Sequence, residues 1–280
     1  MNKSIIKKIN LAFILLFLIG TSLFVIYPLM YVVSGAFSPG NSIASLSIIP
    51  FGDGISFKHF ERLFNDTNYV KWFQNTLYVA VCTSLATIVI SSLGAYVFSR
   101  FHFTLKKSMM MSMLILQIFP SFVGMVAIYV ILLRIGGLDK LWGLILVYLA
   151  GNIPYNTWMV KSYIDTIPRS LDEAARIDGA SHFRIFRSII FPVARPIIIF
   201  LGITSFTAPW MDYIFPKMVL RSSDKQTLAL GLYSSFLTEK KNEFTTFAAG
   251  ALLIAIPFII FFVIMQKTMI TSMGGSAVKE

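Results

Sequence analysis

Residues able to do chemistry are few and scattered in this 280-residue chain. A nucleotide-hydrolysing loop needs Gly-x-x-x-x-Gly-Lys followed by Ser or Thr, whose backbone amides hold phosphates. No glycine here precedes a Lys-Ser or Lys-Thr pair. His59, His102 and His182 lie far apart, without the spacing of a metal site, and Cys82 has no second cysteine to pair with. Strings typical of zinc peptidases or serine hydrolases are absent. We therefore expect no catalytic residues, no metal and no bound cofactor. One segment stands apart: "SLDEAARIDGASHFRIFRSIIFPVARP", from Ser170 to Pro196, puts charges on nearly every turn of an otherwise apolar chain.

The local signals in that segment predict two short helices meeting at an elbow. Pro168 stops the preceding stretch, and Ser170 with Glu173 three residues later has the form of a capping box. Asp172 and Glu173 suit the positive end of a helix dipole, and Asp172 with Arg176 is spaced as an acid-before-base pair. Gly179 offers a backbone conformation closed to other residues. Ser181 is placed to cap a second helix, in which Phe183, Phe186 and Ile190 recur at helical spacing. Pro192 and Pro196 then stop or kink the chain. Such an elbow suits docking to a protein, and equally it suits a mere connector whose Glu173 is occupied by its own helix start.

The elements that must position this elbow are membrane helices. The chain is 56% hydrophobic and 13% charged, about half the charge of a soluble domain. Six stretches are long and apolar enough to span a bilayer: 11–33, 75–98, 109–133, 141–160, 197–215 and 244–265. The fold class expected is thus all-α, a single integral membrane domain of six spans. The first stretch follows Lys3, Lys7 and Lys8 but is too long for a cleaved leader, and is expected to remain as an anchor. A net charge of +11 suggests membrane orientation, with no nucleic acid involved. Lys and Arg favour the side of the N-terminus, so both termini and the segment 161–196 are expected in the cytoplasm. Outer loops then fall at 36–71 and 217–243.

Glu173-Ala174-Ala175, Gly179 and Ile189-Ile190-Phe191-Pro192 resemble the EAA loop of permease subunits of ATP-binding-cassette importers, with Phe191 where that pattern favours leucine. "NTLYVA", "AYVFSRFHF", "AIYVILLRIGGLDKLWGLILVYLAGNIPYNTWMVKSYIDTIPRSLDEAARIDGA", "TLALGLYSSF" and the tail "GGSAVKE" are similar to the smaller permease subunit of maltose/maltodextrin importers; Glu280 stands where that family's tail has glycine. The resemblance implies that the elbow docks in a cleft of a separate cytoplasmic ATPase and transmits its closure, through Glu173, Ala174, Ala175, Asp178, Gly179, Ala180, Phe186 and Pro192. It also implies a second, non-identical permease, two ATPase subunits carrying the ATP and Mg²⁺, an extracytoplasmic sugar-binding protein, surrounding membrane lipid, and an oligosaccharide cargo. Maltose or maltodextrin is favoured, with a galactan fragment as the alternative. Lys225 and Lys240, in the outer loop 217–243, are candidates for contact with the binding protein.

Candidates for the sugar path are polar residues within the spans. Tyr148, Asn152 and Tyr155, with Asn156 beside them, fall near one helix face, and Gln117 and Thr204 are similar cases. The same residues suit hydrogen bonding between helices. An ion-coupled transporter is disfavoured, because such machines place ionisable groups within their spans, whereas here Asp212 and Arg134 lie only at span ends.

Overall fold

The computed structural model describes residues 3–118, 123–238 and 241–274. It is almost entirely helical. In chain order the elements are α1 Lys3–Phe37, α2 Lys58–Asp66, α3 Tyr69–Arg100, α4 Lys106–Ile118, α5 Met125–Arg134, α6 Leu141–Asp165, α7 Ser170–Ile177, α8 His182–Ile185, α9 Phe191–Val193, α10 Arg195–Met211, α11 Ile214–Val219, α12 Leu228–Phe236 and α13 Phe244–Gly274. A two-residue antiparallel ladder joins β1 Leu237–Thr238 to β2 Lys241–Asn242. The stretch 109–133, expected to be one span, is shared by α4 and α5, and the residues between them, 119–122, lie outside those described. By length and apolarity, Asn10–Phe37 and Tyr69–Arg100 can each cross a membrane, and His182–Val193 with Arg195–Met211 is a third candidate bent by 80°. That bend coincides with Pro196, which lacks the N–H that would continue the helix ladder.

Packing divides the chain into two units, residues up to Thr67 with Leu232–Phe258, and Asn68–Gly231 with the chain from Ile259. In the first, α1 leaves its apolar side chains exposed from Leu11 to Leu29, the behaviour of a helix that meets lipid or another chain. His59 on α2 is buried, its Nε2 lying 2.8 Å from the carbonyl of Gly40 and its Nδ1 2.8 Å from the Thr246 hydroxyl. A carbonyl only accepts, so Nε2 carries the proton. Burial holds the pKa of this imidazole below its usual value, with the nearby Lys58 adding to the effect.

The second unit is organised by α3. Thr76, Ala80, Thr83, Thr87, Ser91 and Ala95 recur at intervals of three and four and are fully buried. Small side chains at this spacing let helix backbones approach closely, and α6 and α10 pack along this helix. Ser84 donates to the Gly202 carbonyl of α10 at 2.9 Å. Two apolar cores flank the helix. One gathers Tyr96, Ile164, Ile185, Phe186 and Ile190 beneath the elbow, and the other gathers Val79, Leu144, Val147 and Val219 at the opposite end.

Candidate functional site

The elbow is built from α7, a glycine turn and α8, and its start differs from the capping box expected. Arg169 occupies the N-cap position and makes no side-chain cap, so Ser170 is already inside the helix. Pro168 explains the shift: its carbonyl accepts the Leu171 N–H, starting the turn earlier than the Ser-x-x-Glu string suggests. Glu173 consequently takes no part in capping and stands exposed on the first turn. The expected Asp172–Arg176 pair is also absent. Asp172 is turned inward, while Arg176 reaches His182, its guanidinium 3.4 Å from Nδ1.

The end of α7 agrees with expectation in detail. Gly179 has φ of +78°, its N–H donates to the Arg176 carbonyl, and the Ala180 N–H donates to the Ala175 carbonyl, each at 2.9 Å. These two bonds form the Schellman closure that glycine makes accessible. A Cβ on Gly179 would meet nothing within 4 Å, so its requirement is one of backbone conformation alone. Ser181 then caps α8, its Oγ accepting from the Arg184 N–H at 3.3 Å. Beyond α8 the chain widens into a π turn over Phe186–Ile190, a distortion common at functional sites.

The base of the elbow is locked while its outer face is open. Ala175, Ile185 and Phe186 are buried, and Phe186 stacks with Tyr96 of α3 at a centroid distance of 5.3 Å. Arg100, the last residue of α3, places Nε 2.8 Å from the Asp172 carboxylate, with both side chains almost wholly buried at 4% and 7% exposure. Its other arm donates to the Ile167 carbonyl at 3.0 Å. Glu173, Ala174, Asp178 and Pro192 face outward, and Ala180 is half-buried. Ile177 is 88% exposed and Phe183 is 64% exposed. An exposed carboxylate, a small side chain and uncovered apolar side chains suit a partner with a basic residue and an apolar cleft. Of the residues expected there, Ala175 and Phe186 instead hold the base.

The polar residues expected to line a path have varied surroundings. Tyr148 is buried and donates to Asp212 Oδ2 at 2.9 Å, and Asp212 also accepts from the Ile214 N–H that starts α11. Asn156 donates to the Asn152 carbonyl at 2.8 Å. The Asn152 side-chain nitrogen is buried without a hydrogen-bond partner. Tyr155 is 58% exposed. Gln117 reaches the Gly151 carbonyl at 3.4 Å, and the Thr204 hydroxyl donates back to its own helix at Phe200 and Leu201.

At the end of the second unit remote from the elbow, Lys225 is held in place. Its Nζ lies 2.8 Å from Asp139 Oδ2, and Asp139 also accepts from the Arg221 and Ser222 N–H groups and the Ser222 hydroxyl. Burial raises the Asp139 pKa, but these hydrogen bonds, led by that of Lys225, outweigh it and hold the carboxyl well below the usual range. The start of α3 completes the latch: Trp72 donates to the Ser223 carbonyl and Asn75 to the Asp224 carbonyl, both at 2.8 Å. Gly231 permits the closeness, since a Cβ there would lie 2.2 Å from the Trp72 ring. Lys240 and the tail 275–280 lie outside the described residues. Sequence reasoning missed Arg100 and Asp139 and gave Asp172 the wrong partner.

Residues 87–273 match the family model described as the binding-protein-dependent transport system inner membrane component. Over 279 residues the chain is 39% identical to the maltodextrin transport system permease protein MdxG of Bacillus subtilis strain 168, covering all of both chains. It is 36% identical to the galactooligosaccharides transport system permease protein GanQ of the same organism, covering 98% of this chain and 97% of that one. A solved bacterial ABC transporter involved in the import of alginate shares the fold, with a TM-score of 0.80 at 22% identity over 95% of this chain and 98% of that one. The chain therefore belongs to the family of inner membrane components of binding-protein-dependent transport systems.

Proposed function

We propose that this chain is a permease subunit of an ATP-binding-cassette importer and forms half of the translocation pathway for an oligosaccharide, with maltodextrin as the cargo. The observation that carries the coupling role is the elbow, locked at its base to α3 by Arg100 and Asp172 and open on its outer face at Glu173, Ala174 and Ile177. Six spans with both termini in the cytoplasm place this face where a separate ATPase pair reaches it. Closure of that pair on ATP and Mg²⁺ pushes α7. The buried ion pair and the Phe186–Tyr96 contact pass the displacement to the end of α3, and through the tightly packed α3, α6 and α10 to the pathway.

A second, non-identical permease completes the pathway, and an extracytoplasmic sugar-binding protein delivers the cargo at the outer loops, including the ordered segment around Lys225. Similarity along the whole chain to a maltodextrin permease supports that cargo. The nearly equal similarity to a galactooligosaccharide permease supports the second reading. The test is reconstitution of the complex in vesicles with binding proteins loaded with either sugar. Maltodextrin-loaded protein is expected to stimulate ATP hydrolysis and sugar uptake; stimulation by the galactooligosaccharide alone reverses the cargo assignment. Uptake that persists without any ATPase overturns the reading altogether.

A further inference from the structure

Beside the elbow, between the start of α4 and the end of α6, lies an open recess of about 480 Å³, within the roughly 300–1,000 Å³ of small-ligand sites. Its two walls differ. One is apolar, made by the adjacent Met110 and Met111 and, a turn further along α4, Leu114, with Trp158 of α6 closing the side. Trp158 is fixed there by its indole N–H, which donates to the Met110 carbonyl at 2.9 Å. The rim is basic: Lys106, Lys107 and Lys161 all line the opening. Among these cations the described carboxylate is Asp165, paired with Lys161 at 2.5 Å. Lys106 donates to the Phe101 carbonyl at 3.2 Å, and Lys107 is exposed.

We infer that this recess binds an anionic phospholipid, its phosphate among Lys106, Lys107 and Lys161 and its acyl chains along Met110, Met111 and Leu114. The inference rests on the membrane reading above, which puts this end of α4 at the boundary of the bilayer. Three features favour a lipid over a soluble anion or a peptide. The basic rim and the apolar wall are stacked along the helix axis, as headgroup and chains are stacked in a leaflet. Tryptophan at the junction is the residue enriched at that depth. Basic pockets between helices on the cytoplasmic side take anionic headgroups. The lysines also crowd one another: Lys106, which precedes the apolar stretch 109–133, has its pKa lowered first by burial and then by Lys161, and Asp165 offsets this only in part. A phosphate would relieve that repulsion.

The test counts lipids retained by the complete complex in mild detergent, by native mass spectrometry, during titration with phosphatidylglycerol or phosphatidylcholine of identical chains. The wild type is expected to retain phosphatidylglycerol preferentially. Lys107→Gln, an exposed change at a helix start, should reduce that preference about fivefold, the equivalent of about 1 kcal/mol per lysine near an anionic surface, and Lys107→Arg should restore it. Equal retention of the two lipids, an unchanged preference in Lys107→Gln, or displacement of the lipid by millimolar inorganic phosphate would each overturn the site. So would a photo-reactive group at Met111 that captures a partner polypeptide and no lipid. The count is made without sugar or ATP, so failure here leaves the transport reading standing, and loss of sugar-stimulated hydrolysis with lipid retained sinks only the transport reading.

Discussion

The two ends of α3 are held in different ways. At its start, Trp72 and Asn75 grip the backbone of 223–226, while Asp139 fastens the same segment from the other side through Arg221, Ser222 and Lys225. Every turn of that segment has a bond to something outside itself. At its end, the elbow is held at its base, by the Arg100–Asp172 ion pair and by Phe186 packed on Tyr96, and the outer face of α7 is left uncovered. Bonds spread along a segment hold it throughout, whereas a segment fastened only at its base is free to act as a lever. From this difference we expect motion at the elbow and fixity at the latch.

Breaking the lever at its anchor should have the largest effect. Arg100→Ala or Asp172→Ala leaves a buried charge without its partner, which costs about 3–5 kcal/mol. The elbow should become susceptible to limited proteolysis between Arg169 and His182, with loss of the ATPase from the purified complex. The double change Arg100→Leu with Asp172→Leu should be milder than either alanine variant, because no charge is stranded. Equal proteolysis in all three would show that the ion pair is not the anchor.

Breaking the latch comes next. Asp139→Ala strands the Arg221 and Ser222 N–H groups, each costing about 1–3 kcal/mol where water does not replace the acceptor. Amide exchange should speed up over 220–228 while the elbow keeps its protection. If both ends loosen together, the two regions are one cooperative unit and the contrast between them fails.

A smaller change sharpens the contrast within the elbow. Gly179→Val forces a β-branched residue to positive φ at a cost of about 1–3 kcal/mol, whereas Gly179→Asn should be nearly tolerated, since asparagine visits that conformation. Sugar-stimulated ATP hydrolysis should fall in the order Gly, Asn, Val. Glu173→Gln should move stability least, by under about 0.5 kcal/mol as for other exposed positions, yet reduce ATPase association; unchanged association would remove Glu173 from the docking face.

Acidity supplies the finest test. The Asp139 pKa is depressed in the folded chain, so its stabilising contribution is present above the unfolded value of about 3.9 and is lost only as pH falls through the lower folded value. The Lys225 pKa is raised, first by its hydrogen bond to Asp139, so its contribution persists below about 10.4 and fades only above that. Protection of the Arg221 and Ser222 amides, corrected for intrinsic exchange, should therefore be flat from pH 5 to pH 8. A slope in that window would place another titrating group in the latch.

The elbow's turn was legible in the sequence because its signals are local. Gly179 and Ser181 act within four residues of themselves, and both behave as read. The capping box failed through an equally local competitor, the Pro168 carbonyl, which captured the helix start first. What stayed hidden was long-range. Arg100 and Asp172 belong to different helices, as do Asp139 and the loop that it fastens, and no periodicity in one segment encodes a partner in another. The polar stripe on α6 shows the same limit: spacing put Tyr148 and Tyr155 near one face, but the first is buried against Asp212 while the second is exposed. The small-residue stripe on α3 was present in the string and was overlooked because serine, threonine and alanine read as neutral filler within an apolar run.

Because both ends of α3 are pinned, the helix also fixes a phase. Its 32 residues advance about 48 Å at 1.5 Å per residue, and each residue turns the helix by about 100°. Adding one residue near the exposed Leu85 would swing Arg100 a quarter-turn away from Asp172 while Trp72 kept its grip on Ser223. Adding seven would lengthen the helix by two turns and return Arg100 to within about 20° of its original bearing. Restoring the bearing is not enough, since seven added residues also carry Arg100 about 10 Å along the axis from Asp172, so a homologue with an insertion in this helix must have rebuilt one of its two ends.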